Sequence, residues 1–400
     1  VRVAVLAEFY PSRGDPVLGI WAHRQALAAR DSGAEVRVLV LHRLVPPRAS
    51  LAGGPAVAAR ALTRLLREPR EQTRDGLAIT YVPYISPPRD HGYPGWAAWA
   101  EPTLGAALRR LQRRFPFDLI HAHNAVPAGD AARRVLGSGR VRPTPLIVSV
   151  HGGDVLHTAL RSESGAQAVA RGLGAARLVL ANSLGIAELA RAHGADETRV
   201  VHLGAALGTG TPSPPRRDGA LTLVTVGHLI ARRRHADVLR ALAVLGPRHP
   251  ALRYSIVGEG PERVALEGLA VRLGIAERVD FHGQLSPDQA IDEARRSTLF
   301  VMPSTEEAFG VAYIEAMAGG VPAIGCRGEP GPEEIAAAGD GMVLVPPGDI
   351  ERLTQRIDEL LSDPQRLREA GQRARATVAA NFTWERCGRQ TVAAYEHALR

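Results

Sequence analysis

The sequence predicts an α/β protein of two domains, each a parallel sheet covered by helices on both faces. Three observations carry that prediction. Short apolar, β-branched runs alternate with helix-length amphipathic segments along most of the chain. The 400 residues exceed what a single hydrophobic core usually holds. A stretch rich in Gly, Pro, Ser and Thr, GAALGTGTPSPPRRDGA (204–220), interrupts the alternation near its middle and reads as a linker.

In chain order, strands are expected at RVAVLAEF (2–9), EVRVLVLH (35–42), DLIHAH (118–123), PLIVSVHG (145–152), RLVLAN (177–182) and RVVHLG (199–204). The segment GIWAHRQALAARDSG (19–33) carries Ala and Leu at helical spacing. After the linker the pattern restarts at LTLVTVGH (221–228), RYSIVGEG (253–260), RVDFHG (278–283), LFVMPS (299–304), VPAIGC (321–326) and GMVLVPP (341–347). A last helical segment, 384–399, follows NFTWE. Residues 46–75 and 83–102 break the alternation. They read as a surface insertion with a local apolar cluster, as an acceptor-facing wall, or as a membrane-facing basic patch around 59–70.

Composition excludes several classes. The chain contains no lysine, and all 49 basic residues are arginine. A Schiff-base lysine for pyridoxal phosphate and a Walker-type phosphate loop are therefore ruled out. Any phosphate clamp must use arginine, whose planar fork binds two oxygens at once. The net charge of +8 is spread over scattered arginines, and aromatics are 4%, so a nucleic-acid partner is not expected. No run approaches the roughly 18 apolar residues of a membrane span. VRVAVLAEFYP reads as a first strand rather than a secretory leader, and Cys326 and Cys387 are far apart, so a cytoplasmic setting is expected.

Residues 299–326 read as strand, loop, helix and strand. A helix that starts just past the carboxyl end of a strand points free N–H groups outward, a ready phosphate site. Glu315 lies within its apolar run, beside Ile314, Ala316 and Met317, which predicts poor solvation. Such a carboxylate needs donors, and the vicinal hydroxyls of a ribose are suitable. Spacing alone does not choose its partner between Glu306 and Glu307. Eight residues along a helix turn through about 80°, so the earlier glutamate must act from the loop. The bland alternative is a solvated pair favouring the helix dipole.

PSTEEAFGVAYIEAMAGGVPAIG closely resembles the glutamate–seven–glutamate motif of the retaining family 4 glycosyltransferases (glycosyl transferases group 1). That resemblance implies the GT-B fold: two Rossmann-like domains facing across a cleft, with the C-terminal helix crossing back to the N-terminal domain. It implies an acceptor domain over 1–205, a donor domain over 206–383, and a returning helix over 384–400. It sets Glu307 on the donor-sugar hydroxyls and Glu315 on the ribose. It sets the backbone around Ala308, Phe309, Gly310 and Val311 on the diphosphate.

Further resemblances extend along the chain. VTVGHLIARRRHADVLRAL (224–242) is similar to the family's diphosphate clamp, with Arg233 at the usual lysine position, His228 where an arginine is usual, and Arg232 as a substitute. VGEGP, with Gly258, and FHGQLSP, with Gln284 and Leu285 near the nucleobase, resemble the next two units. In the N-terminal half Gly19 matches the family's diphosphate-facing glycine. His151 matches a histidine beside the donor sugar, and Asp154 follows in the same loop. The acceptor candidates are Asp154, Tyr93, Trp96, Trp99 and His123. Together these imply an enzyme that moves a sugar from a nucleoside diphosphate sugar, UDP first and GDP next, to a hydroxyl acceptor. His151, Glu307 and Arg233 are its catalytic candidates. No separate cofactor is implied, and a metal held by His121, His123 and His151 is not expected. A nucleotide-sugar 2-epimerase and a non-catalytic nucleotide-sugar-binding protein are the rival readings.

Overall fold

The computed structural model describes residues 1–46, 48–67, 69–208 and 221–400. The chain divides into two compact units, Val1–His202 with Trp384–Arg400, and Leu203–Thr383. Most of the expected linker, residues 209–220, lies outside the described residues.

The first unit holds β1 (Arg2–Ala7), β2 (Glu35–Arg43), β3 (Glu71–Arg74), β4 (Leu77–Tyr84), β5 (Leu119–His123), β6 (Leu146–Val150), β7 (Leu178–Ala181) and β8 (Thr198–Val200). They form one sheet in the order β3-β4-β2-β1-β5-β6-β7-β8. Every residue of β5, β6 and β7 is buried, the mark of strands covered on both faces. All neighbours run parallel except β3 and β4, which form an antiparallel hairpin.

That hairpin corrects the reading of residues 46–75 as a surface insertion at its end: β3 (Glu71–Arg74) pairs within the sheet, next to β4, a strand the sequence reading did not include. Its turn is Asp75–Gly76, with φ of 48° and 79°. An Asp-Gly pair in the left-handed region is a strong two-residue hairpin signal. The inward residues of β4, Leu77, Ile79 and Tyr81, then join the core with Val36, Val38 and Val40 of β2.

The C-terminal helix Trp384–Ala398 belongs to this first unit, crossing back after the second. It packs on the first helix, Ile20–Asp31. Gln25 Nε2 donates to Thr391 Oγ1 (3.2 Å). Tyr395 OH hydrogen-bonds His121 Nδ1 (2.8 Å), tying the helix to β5.

The second unit holds β9 (Thr222–Val226), β10 (Arg253–Val257), β11 (Val279–Gly283), β12 (Leu299–Val301), β13 (Ala323–Cys326) and β14 (Met342–Val345). Their order is β11-β10-β9-β12-β13-β14, all parallel. This is the nucleotide-binding Rossmann arrangement, in which the chain winds outward in both directions from the first strand. The winding reverses between β9 and β12 here, and between β1 and β5 in the first unit. Ligands of open α/β sheets bind outside the carboxyl ends of the strands at such reversal points.

Candidate active site

At the reversal point of the second unit, the loops after β9, β10 and β11 meet backbone to backbone. Gly227 N donates to Val257 O (2.9 Å), Leu229 N to Glu259 O (3.0 Å) and Gly258 N to Gly283 O (2.8 Å). Gly258 has a φ of 141°, and a Cβ there would sit 2.0 Å from Gly227 O. Only glycine allows that contact. Gln284 is exposed and Leu285 half-buried just past β11, at the same edge. His228 is exposed, with Nδ1 3.3 Å from Glu259 O.

Across the reversal point, β12 runs into Met302, Pro303 and Ser304. The next loop separates the two glutamates that spacing left equivalent. Glu306 takes a φ of 55° and is exposed, whereas Glu307 is 6% exposed. The Glu307 carboxylate pairs with Arg233 and accepts from Ser304 Oγ (3.0 Å). Its backbone N–H donates to the Glu329 carboxylate (2.8 Å). Arg233 Nε is buried and reaches no partner among the described residues. Arg232 Nη1 donates to Glu306 O (3.1 Å). Arg234 does not join the clamp: it turns back onto its own helix and pairs with Asp237 (2.6 Å). Of the three-arginine run, two guanidinium groups therefore face the loop after β12.

Ala308 and Phe309 are buried, and the Phe309 ring packs edge-on against Phe382, centroids 5.7 Å apart. Gly310, with a φ of 87°, caps the helix Val311–Ala318. That helix buries Tyr313, Ile314, Ala316, Met317 and Ala318. Val311, Ala312 and Glu315 stay partly exposed. Glu315 is thus half-buried at a rim, in electrostatic reach of Arg295, and not enclosed in the apolar core as its neighbours suggest. The reason is helical phase, since positions three and four apart share a face.

Sequence reasoning missed Glu329. Burial raises its carboxyl above the usual range, the Glu307 backbone N–H opposes this, and the Glu307 and Glu306 charges add to it.

In the first unit, Gly19 precedes the first helix with a φ of 69°. A Cβ there would lie 2.2 Å from the carbonyl carbon and oxygen of Phe9, so the loop after β1 folds directly against it.

The histidines do not converge on a point. His121 is held between Tyr395 OH and Ser149 Oγ (2.7 Å). His123 Nδ1 and His151 Nε2 share one hydrogen bond (3.0 Å), their rings stacked 5.2 Å apart. Burial pushes His151 down to about 4 and His121 to about 3, and holds His123 well below its ordinary value. All three are neutral at pH 7. His123 Nε2 and His151 Nδ1 are buried without a partner among the described residues. Among those residues, no three His, Cys, Asp or Glu side chains are grouped to hold a metal.

Two acceptor candidates are engaged within the fold. Asp154 spends its oxygens on the backbone N–H groups of Ala125 (2.9 Å) and Val126 (3.2 Å), so it fixes the loop after β5. Trp96 is 3% exposed; its Nε1 donates to Pro87 O (3.0 Å) and Arg43 stacks on its ring. It is core. Trp99 is 54% exposed.

Tyr93 is half-buried, and its hydroxyl leads to a residue the sequence did not mark. It donates to Glu8 Oε2 (2.7 Å) and lies 3.0 Å from Val126 O. Glu8 directly follows β1, its side chain 9% exposed, with Arg89 Nη1 3.7 Å away. Burial pushes its carboxyl up to about 7; Arg89, Tyr93 and Arg43 oppose this and Asp154 adds to it.

A carboxyl that holds its proton more tightly folded than unfolded costs stability as pH rises, from its ordinary value to its folded one. Ionised Glu8 therefore costs roughly 2–4 kcal/mol above pH 8. Glu8→Gln is expected to be more stable than the parent by that amount at pH 8, with the gap closing towards pH 4.5. Urea unfolding at both pH values checks this, and a pH-independent gap would contradict it.

Comparison with known proteins adds the following. The family described as Glycosyl transferases group 1 matches residues 212–377, and the one described as Glycosyltransferase Family 4 matches residues 21–207. Over 312 residues the chain is 31% identical to D-inositol 3-phosphate glycosyltransferase 2 of Catenulispora acidiphila, covering 71% of each protein. It is 36% identical over 155 residues to exopolysaccharide phosphotransferase SCO2592 of Streptomyces coelicolor, but that match spans 38% of this chain and 16% of that protein. Among solved structures, Anabaena Alr3699/HepE in complex with UDP and glucose superposes with a TM-score of 0.72 at 19% identity, covering 99% of each chain.

Proposed function

Because this chain belongs to the family 4, group 1 glycosyltransferases and has their GT-B fold, we propose that it transfers a sugar, with retention, from a UDP-sugar to an acceptor hydroxyl. The acceptor in this reading belongs to a glycolipid, a polysaccharide intermediate or a small natural product. The observation that carries the reading is the buried Arg233–Glu307 pair beside the start of the helix Val311–Ala318. UDP is favoured over GDP because the Anabaena protein is seen with UDP.

The chemical problem is charge. The bond from the anomeric carbon to the diphosphate breaks, leaving negative charge on the phosphates and oxocarbenium character on the sugar. In this reading Arg233, Arg232 and the N–H groups of Val311 and Ala312 receive the diphosphate. Arg233 Nε is a donor already desolvated and unspent. As the diphosphate engages Arg233, Glu307 turns to the sugar hydroxyls. Glu315 takes the ribose from its half-exposed rim, and the backbone at Gln284 and Leu285 takes the base. His151 is assigned the sugar through the family motif. The new bond forms on the face the phosphate leaves, and the acceptor proton passes to a phosphate oxygen.

The test is turnover. Incubation of UDP-sugars with hydroxyl acceptors is expected to release UDP only when an acceptor is present, and the product's anomeric coupling in proton NMR should match that of the donor. Donor consumption without an acceptor, yielding an epimer, would support the epimerase reading instead. An inverted product would contradict retention.

A further inference from the structure

The first unit carries an anion-receptive feature whose lining includes neither the histidines nor Glu8. A pocket of about 540 Å³ is lined by Arg13, Gly14, Arg60, Thr63, Arg64 and Arg67, with Ala59. Its two walls leave the same edge of the sheet. Arg13 and Gly14 belong to the loop that follows β1 and ends at Gly19. The other residues belong to the helix Pro55–Leu66 and its C-cap, Arg67, beyond the carboxyl end of β2. Because β1 and β2 are parallel, both walls stand at the carboxyl edge.

On the helix, positions 60, 63, 64 and 67 fall at intervals of three, four and seven, so they share one face. That face presents arginine after arginine. From Arg48 to Arg67 the sequence contains no aspartate or glutamate. Like charges four apart on a helix repel, and Arg13 adds another guanidinium from the facing loop. The loop is held in place: Arg64 Nη2 donates to Gly14 O (3.2 Å), and Asp15 Oδ1 accepts from the backbone N–H groups of Val17 and Leu18 (3.1 Å each). The lining side chains are exposed, and several guanidinium groups around one open concavity suit a tetrahedral oxyanion, because each fork can hold two phosphate oxygens.

We propose that this pocket binds a phosphoryl group, a phosphomonoester or a diphosphate, carried by the acceptor. The proposal rests on the reading that the first unit receives the acceptor, and it narrows the acceptor class to phosphorylated hydroxyl compounds. The phosphoryl group proposed is not that of the donor, whose diphosphate that reading gives to Arg232 and Arg233. The phosphoryl group has two sources of the same chemistry, a soluble phosphorylated compound or a lipid headgroup. Leu62 and Leu66, at other positions of the same helix, are exposed.

The test uses the full chain with UDP saturating. Calorimetric titration with inorganic pyrophosphate is run on the parent, on Arg60→Ala/Arg64→Ala, and on Arg109→Ala/Arg110→Ala, which removes the same charge from an exposed site elsewhere. Pyrophosphate is expected to bind the parent and the control alike, and the pocket variant at least tenfold more weakly. In parallel, sedimentation with phosphatidylglycerol vesicles, against phosphatidylcholine vesicles, reads the lipid source. Loss of phosphatidylglycerol binding in the pocket variant alone supports the pocket with a lipid-borne phosphate. Equal weakening in pocket and control variants, or no binding to either probe, overturns the proposal. UDP affinity is expected to be unchanged in the pocket variant. A parent that fails to bind UDP would count against the donor reading and leave the pyrophosphate comparison standing.

Discussion

Arg233→Ala is expected to lower kcat roughly 10²- to 10³-fold, about 3–4 kcal/mol of lost stabilisation of the leaving diphosphate. It should also destabilise the fold. Glu307, 6% exposed, would keep Ser304 Oγ as a donor but lose its cation. Breaking a buried pair from one side costs about 3–5 kcal/mol, because a charge is left uncompensated. The two effects separate in the double variant Arg233→Ala/Glu307→Gln. It should regain most of the lost Tm, since no bare charge remains, while its kcat stays well below that of Glu307→Gln alone. A double variant with both the Tm and the kcat of Glu307→Gln would show that Arg233 acts through stability alone. Steady-state kinetics and thermal unfolding of the parent, the two single variants and the double variant decide the matter.

Gly258→Ala is expected to cost about 2–5 kcal/mol and to weaken nucleotide binding. The new Cβ would fall 2.0 Å from Gly227 O, and the φ of 141° belongs to a region that side chains avoid. Relief would require parting the loops after β9 and β10, where the hydrogen bonds from Gly227 N and Leu229 N hold them. Gly274→Ala is the matched control. Gly274 also has a positive φ, 68°, but no atom lies within 4 Å of its Cβ position. It should cost only the local backbone term, about 1–2 kcal/mol. Equal Tm losses in the two variants would contradict the close-approach account.

The doubly wound fold was legible because its strands are covered on both faces and so read as unbroken apolar runs. What the sequence hid was phase and local turn geometry. The hairpin β3–β4 is masked by the basic segment before it, although Asp75–Gly76 and the alternation of LAITYVPY carry its signal. Trp96 and Trp99 looked equivalent as members of an aromatic cluster. Their helix, Trp96–Arg114, buries positions 96, 100, 104 and 108, a line of residues four apart that Trp99 lies off.

The glutamates show the reverse limit. Nothing in EEAFG distinguishes its first two residues by chemistry. The left-handed turn at Glu306 throws one carboxylate into solvent and the other onto Arg233. Glu8 was passed over because a lone carboxylate after a strand is common. Its significance comes from burial and from Tyr93, a partner 85 residues away in the chain.

The central claim, that the carboxyl edge of the second unit receives a nucleoside diphosphate sugar, is tested most directly by ligand-induced thermal stabilisation across nucleotides and nucleotide sugars, on the parent and on Glu315→Ala. A ligand at a hundred times its Kd adds about 2.7 kcal/mol, which raises Tm by several degrees. The account predicts that UDP and UDP-sugars raise the parent's Tm and that Glu315→Ala loses most of that shift. No shift from any nucleoside diphosphate or its sugars, or an undiminished shift in Glu315→Ala, would contradict it.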